Sequence, residues 1–153
     1  MNSEENIALR PLKPDDLDRV VEIDARIIGR SRRVFFEKRL AAALADPAGF
    51  VALAVANSGG QLTGFAIARI QNGEFGIDHR IAVLDVIGVD PLAQHGGGGT
   101  ALLDGITERL RKINITELRT QVEWQNRDLT HFFAAAGFDL AFDQVLERAV
   151  TGR

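Results

Sequence analysis

The chain has 153 residues, 46% of them hydrophobic and 25% charged, with a formal net charge of −3. That length suits a single domain, residues 1–153, with a real core, and the near-balanced charge gives no footing for a general nucleic-acid binder. The absence of cysteine excludes disulfides, thiolate metal ligands and a cysteine nucleophile. No apolar run approaches the ~20 residues of a membrane span, and the acidic opening Met1-Asn2-Ser3-Glu4-Glu5 is unlike a secretory leader, so a cytoplasmic location is expected.

In chain order, Ile7 to Leu12 reads as a short first strand, and Lys13-Pro14-Asp15-Asp16 as a helix start with proline and acids in its first turn. Leu17, Val20, Val21, Ile27 and Ile28 give that helix an apolar stripe, and Gly29-Arg30-Ser31 breaks it. A second helix carries Phe36, Leu40, Ala43 and Leu44 on one face and ends by Asp46-Pro47. Phe50 to Ala56 and Leu62 to Ile70 read as strands joined through the hairpin signal Asn57-Ser58-Gly59-Gly60. After a loop over Gln71 to Gly76, the near-continuous apolar run Arg80 to Val89 predicts a central strand covered on both faces.

Thr100 to Ile113 has helical periodicity, with Leu102, Leu103, Ile106, Leu110 and Ile113 inward and Glu108 and Lys112 as an outward pair. Leu118, Thr120, Val122 and Trp124 alternate with Arg119, Gln121 and Glu123, the period of a half-exposed strand. Asn126 is placed to cap a short helix carrying Leu129, Phe132, Phe133 and Ala136, which Gly137-Phe138 ends. Two last strands are expected near Asp139–Phe142 and Gln144–Val150. The predicted order is β-α-α-β-β-β-α-β-α-β-β, an α/β chain with a mixed sheet.

Gly96-Gly97-Gly98-Gly99 is the most distinctive stretch, because four glycines together between a strand and a helix imply a tight turn or close approach of a ligand. At a strand-to-helix junction, the free N–H groups and the positive end of the helix dipole favour a phosphate. A flexible linker is the plain alternative, but linkers are polar on both sides and this run has core-like flanks. No lysine precedes Thr100, as a P-loop needs, and Gly96 to Ala101 lacks the last glycine of a dinucleotide fingerprint. The pattern present is Val89-x-Pro91-x-x-Gln94-x-x-Gly97-x-Gly99, followed by Leu102-Leu103.

This pattern resembles the acyl-CoA pyrophosphate loop of the GNAT N-acetyltransferase superfamily. The element order is similar to the GNAT fold, whose mixed sheet splays between its fourth and fifth strands. Asn126, Phe132-Phe133 and Gly137-Phe138 look like a further family segment. The resemblance implies an acyltransferase that moves an acetyl group from acetyl-CoA to a primary amine, of a protein N-terminus, a lysine or a small molecule, by direct attack. It implies no metal, no nucleic acid and no membrane partner, and allows a homodimer. The N–H groups of Gly96, Gly97, Gly98, Gly99 and Thr100 would hold the pyrophosphate, with Gln94 as an added amide donor and His95 touching or covering it. Ile87, Gly88 and Val89 take the position of the backbone that pairs with the pantetheine arm, and Asn126 and Phe132 belong to the cofactor side.

Acyl transfer to an amine requires loss of an amine proton, polarisation of the thioester carbonyl and, helpfully, a proton for the leaving thiolate. Asp85 is the one acid in the apolar strand, with side parity shared with Val83, Ile87 and Val89. A carboxylate there needs a partner or a task, and burial raises its pKa toward a range useful for a base. A structural acid bonded to a neighbouring loop is the other reading, and Glu123 and Glu74 are rival bases. Phe133 stands where the family's proton-donating tyrosine is expected, and the chain has no tyrosine. A weakly catalytic acyl-CoA-binding regulatory module, or another nucleotide-binding α/β protein, are therefore the alternative readings. His79, His95 and His131 have no metal-ligand spacing. Arg26, Arg30, Arg32, Arg33, Lys38 and Arg39 form a basic region read either as a solvated helix face or as a greeting for an acidic acceptor.

Overall fold

The computed structural model describes residues 7–152, so the acidic opening over Met1 to Glu5 lies outside the described residues. The chain divides into two compact units, Met1–Gln121 and Val122–Arg153. The first contains β1 (Ala8–Pro11), α1 (Leu17–Ile28), α2 (Arg33–Ala45), β2 (Phe50–Ala56), β3 (Leu62–Asn72), β4 (Arg80–Val89), α3 (Gly98–Lys112) and β5 (Leu118–Thr120). The strands lie in the order β1-β2-β3-β4-β5, antiparallel throughout except for the parallel pairing of β4 with β5. Among the described residues no helix is long and apolar enough to cross a membrane.

Side chains of the two sheet faces have different partners. Phe65 and Ile67 of β3 join Val20, Val21 and Ile23 of α1 and Phe36, Leu40 and Ala43 of α2 in one buried cluster, with Val86 packed against it. Phe36 meets Phe65 edge-on at 5.6 Å between centroids, a favoured aromatic geometry. On the opposite face, Leu102 and Ile106 of α3 are fully buried. At Gly105 a Cβ would meet the side-chain ends of Leu9 at 2.5 Å and Leu53 at 3.0 Å, so a larger residue there would have to displace them. The α1 stripe is shorter than the periodicity predicts: Ile27 and Ile28 remain about half exposed beside the left-handed cap Gly29.

Two further boundaries differ from expectation. The helix α3 begins at Gly98, because Gly97 at φ +83° supplies the left-handed N-cap, and Gly98 and Gly99 are its first residues. The fifth strand stops at Thr120 rather than continuing to Trp124. Glu108 lies by Arg111 at 4.0 Å, the neighbour one residue before the expected Lys112.

The second unit contains α4 (Arg127–Ala135). Asn126 caps it as expected, accepting a hydrogen bond from the Leu129 N–H at 3.2 Å. Gly137 at φ +92° ends the helix, with the Phe138 N–H donating back to the Phe133 carbonyl, the αL closure that glycine favours. The two strands expected near Asp139–Phe142 and Gln144–Val150 are a correction: residues 139–152 have no strand. Alternation fits a side-chain pattern to a pleat, but a strand also requires a neighbour to receive its N–H and C=O groups. The apolar members Leu140, Phe142, Leu146 and Val150 are accordingly exposed.

Candidate active site

The sheet opens on one side of β4. Its pairing with β5 covers only Ala82, Val83 and Leu84, and ends at Leu84 opposite Thr120. Beyond that point β4 continues to Val89, paired with β3 alone. Residues 85–89 therefore present a row of backbone groups that no described strand receives. Ile87, Gly88 and Val89 all lie on this free edge, and Ile87 and Val89 are half-buried rather than enclosed on both faces.

The fork begins at a bulge. Ile67 of β3 stands opposite Val86, while Ala68 stands opposite Leu84, so Asp85 is the extra residue of β4. A bulge re-aims side chains and is common near functional sites. Here it keeps the parity of Asp85 with Val83 and reverses the parity expected with Ile87 and Val89. A Cβ at Gly98 would touch Val89, and a Cβ at Gly88 would meet Ile27 of α1 at 3.3 Å, so Val89 faces α3 and Gly88 faces α1. Asp85 points instead toward α2 and does not share a face with Ile87 and Val89. Gly88 is also explained by packing, since a Cβ there would press on Phe65 at 2.9 Å.

Two arginines meet Asp85. Arg69 Nε of β3 is 3.3 Å from Oδ1 and 3.2 Å from Oδ2, and Arg39 Nη1 of α2 is 3.4 Å from Oδ2. The Arg39 guanidinium also lies 5.6 Å over the Phe35 ring. Its Nε is buried without a hydrogen-bond partner. Arg39 belongs to the basic region noted in the sequence, whereas Arg69 was not singled out there. Arg69 had a signal as clear as that of Asp85, being the one charged residue within an apolar strand.

Most of the basic region is neutralised. Arg32 grips Asp24 through Nε and Nη2 at 2.9 and 2.6 Å, and Arg33 reaches Asp18 at 2.8 Å. Arg26 bonds Glu22 at 2.6 Å and Asp90 at 2.9 Å. The second contact belongs to a clamp that sequence reading missed. Asp90, next after β4, accepts from Arg19 at 2.7 Å, from Arg26 and from the Leu92 N–H at 3.1 Å. Burial works to raise its pKa, but the Leu92 N–H and the two guanidiniums outweigh burial and hold the carboxyl below its ordinary value. The clamp joins α1 to the entrance of the glycine loop.

In that loop Pro91–Ala93 forms one 3₁₀ turn, His95 adopts φ +76°, and Gly97 is again left-handed. Gln94, His95, Gly96 and Gly97 are exposed, as is Thr100. The first helical acceptor relation is Ala101 N–H to the Gly97 carbonyl at 3.0 Å, so the N–H groups of Gly98, Gly99 and Thr100 have no acceptor within the helix. They lie at its positive end. The loop contains no lysine or arginine.

The remaining candidates are elsewhere. Glu74 sits in an exposed turn after β3, and Glu123 is exposed in the second unit, beyond the end of β5. Phe133 is buried, its ring 5.5 Å from Phe132 and 5.0 Å from Phe138. His79 is half exposed beside Asp78, and His131 and Trp124 are exposed.

Residues 17–138 match the family model described as Acetyltransferase (GNAT) family. The chain belongs to the GNAT acetyltransferases. A relative named mycothiol acetyltransferase, from Propionibacterium freudenreichii subsp. shermanii, is 27% identical over 147 residues. That alignment takes in 92% of this chain and 46% of the relative, so the chain spans about half the length of the curated relative it matches. The GNAT fold is shared with the aminoglycoside 6'-N-acetyltransferase AAC(6')-IG from Acinetobacter haemolyticus at TM-score 0.77 and 18% identity, over 95% of this chain and 99% of that one. It is shared also with aminoglycoside N-acetyltransferase AAC(6')-Iy in complex with CoA, at TM-score 0.76 and 16% identity, over 96% and 97% of the two chains. The GNAT match closes at Phe138, where the strandless segment begins.

Proposed function

We propose that this GNAT domain transfers an acetyl group from acetyl-CoA to a primary amine by direct attack, with the thioester seated at the fork of β4. The free edge of β4, followed after the glycine loop by the unpaired N–H groups that open α3, carries this reading. The residues fit the cosubstrate: the edge at Ile87, Gly88 and Val89 can pair with the amides of the pantetheine arm as an added strand does. The N–H groups of Gly98, Gly99 and Thr100 suit its pyrophosphate. Gln94 and His95 are exposed beside them. Asn126 and Phe132 remain cofactor candidates by resemblance, Asn126 while also capping α4.

In the transfer, Asp85 takes the proton that the amine must lose, directly or through water. The amine nitrogen bonds to the thioester carbon, a backbone N–H of the open β4 edge receives the developing oxyanion, and the carbon–sulfur bond breaks. Phe133 has no proton to give. The thiolate leaves with the proton supplied by water, which a thiol pKa near 8.5 permits.

Calorimetry with Gly97→Glu tests the loop: a side chain forced to φ > 0 beside an anion should abolish acetyl-CoA binding, and normal binding would refute the assignment. Release of free CoA thiol over a panel of amines tests transfer. A second reading, an acyl-CoA-binding module with feeble turnover, is favoured by the buried Phe133 at the tyrosine position. Tight binding without thiol release would select it. Self-association accompanies the acetyltransferase reading, supported by the exposed Leu140, Phe142, Leu146 and Val150, and light scattering at micromolar concentration checks it.

A further inference from the structure

We propose that the acceptor is a zwitterion: it presents its amine together with a carboxylate or phosphate group, which Arg39 and Arg69 receive while the ammonium faces Asp85. This rests on the acetyltransferase reading above and specifies its substrate class. The cluster holds two guanidiniums against one carboxylate. Its contacts of 3.2 to 3.4 Å are long beside the 2.6 to 2.9 Å of the other arginine–aspartate pairs of this unit. Each guanidinium has five N–H donors. Beyond the Arg69 Nε contact to Asp85, no side-chain hydrogen bond of either arginine is found among the described residues, and Arg39 Nε is buried with no partner.

Donor capacity is therefore left over, in a planar fork that matches a carboxylate or phosphate edge. The two side chains are 29% and 37% exposed, open enough to be reached and enclosed enough to limit screening by water. Position supports the same conclusion. Asp85 is the first β4 residue past the last pairing with β5, so the surplus positive charge stands where the acceptor nitrogen has to enter. A polycation would meet like charge there. An amine with a neighbouring anion finds both of its charges answered. The other arginines with short contacts in α1, at the N-cap of α2 and in α2, namely Arg19, Arg26, Arg32 and Arg33, are occupied by Asp90, by Glu22 and Asp90, by Asp24 and by Asp18.

Matched acceptor pairs test this with the full chain: phenylalanine against phenylalaninamide, O-phosphoethanolamine against ethanolamine, and a polycationic aminoglycoside. Thiol release should give kcat/KM at least about 10-fold higher for the anionic member of one pair, and that pair identifies carboxylate or phosphate as the group received. In Arg69→Gln and Arg39→Gln the ratio should fall toward one through KM, with the acetyl-CoA Kd and Tm unchanged. Arg69→Lys should restore part of it. Preference for the amide, ethanolamine or aminoglycoside overturns the zwitterion while leaving acetyl transfer intact. So does an undiminished ratio in both glutamine variants. Acetyl-CoA binding with no thiol release from any amine overturns the transferase reading and this proposal together.

Discussion

Two clusters of the same composition flank the open part of β4, and they behave differently. Asp90 and Asp85 each stand between two arginines. Asp90 is 4% exposed, its carboxylate is held at 2.7 and 2.9 Å, and a backbone N–H completes its shell. Asp85 is 15% exposed, with longer contacts and arginines that keep donors to spare. A saturated ion pair fixes the chain, whereas an unsaturated one has capacity for something else. Charge count alone would not separate the two; the number of satisfied donors does.

The largest effect expected from this difference is on stability. Asp90→Ala leaves two guanidiniums facing a buried gap and should cost about 3–5 kcal/mol, read from urea denaturation. For a domain of this size that corresponds to a Tm lower by on the order of 10 °C. A loss below about 1 kcal/mol would put the clamp among ordinary surface pairs and erase the contrast. Asp85→Asn should do the reverse, lowering kcat/KM by on the order of 10²-fold, the lower range for a lost general base, with Tm nearly unchanged. Turnover equal to that of the parent would remove Asp85 from the mechanism.

Acid sharpens the comparison further. Asp90 is held below its ordinary pKa, and so is Asp16, where burial opposes the shift but the Arg10 hydrogen bond and the Lys13 N–H prevail. A carboxyl depressed on folding adds stability that is complete above its unfolded value, near 3.9, and disappears as pH falls through the lower folded value. The urea midpoint should therefore drop below about pH 4, and Asp90→Asn should flatten that drop. The smallest effect is expected for Arg26→Lys. Arg26 is 39% exposed and shares Asp90 with Arg19, so retention of the charge should keep the loss under about 1 kcal/mol in the same denaturation assay.

Local signals in the sequence carried far. The apolar run over β4, the glycine loop, the Asn126 cap and the Gly137 stop all depend on residues within a few positions, and all lie where the pattern puts them. What depends on distant partners was not legible. The bulge at Asp85 is a matter of register with β3, so parity counting grouped Asp85 correctly with Val83 but wrongly with Ile87 and Val89 beyond the bulge. The basic region looked free because Asp90 lies 64 residues beyond Arg26. Arg69 was readable by the same argument as Asp85, a charge within an apolar strand, and the pairing between them required both strands at once. The strands expected after Phe138 failed for a related reason: alternation describes a side-chain pattern, and no described neighbour completes it.

The bulge has one more consequence, for insertions and deletions. With Asp85 removed from the count, Leu84 opposite Ala68 runs directly into Val86 opposite Ile67, and the pleat continues without a break. Asp85 is thus an inserted residue in a strand that is complete without it. Excising it leaves every apolar side chain of β4 on the face it now occupies, so the shortened chain should still fold. Only the carboxylate would be missing from the fork.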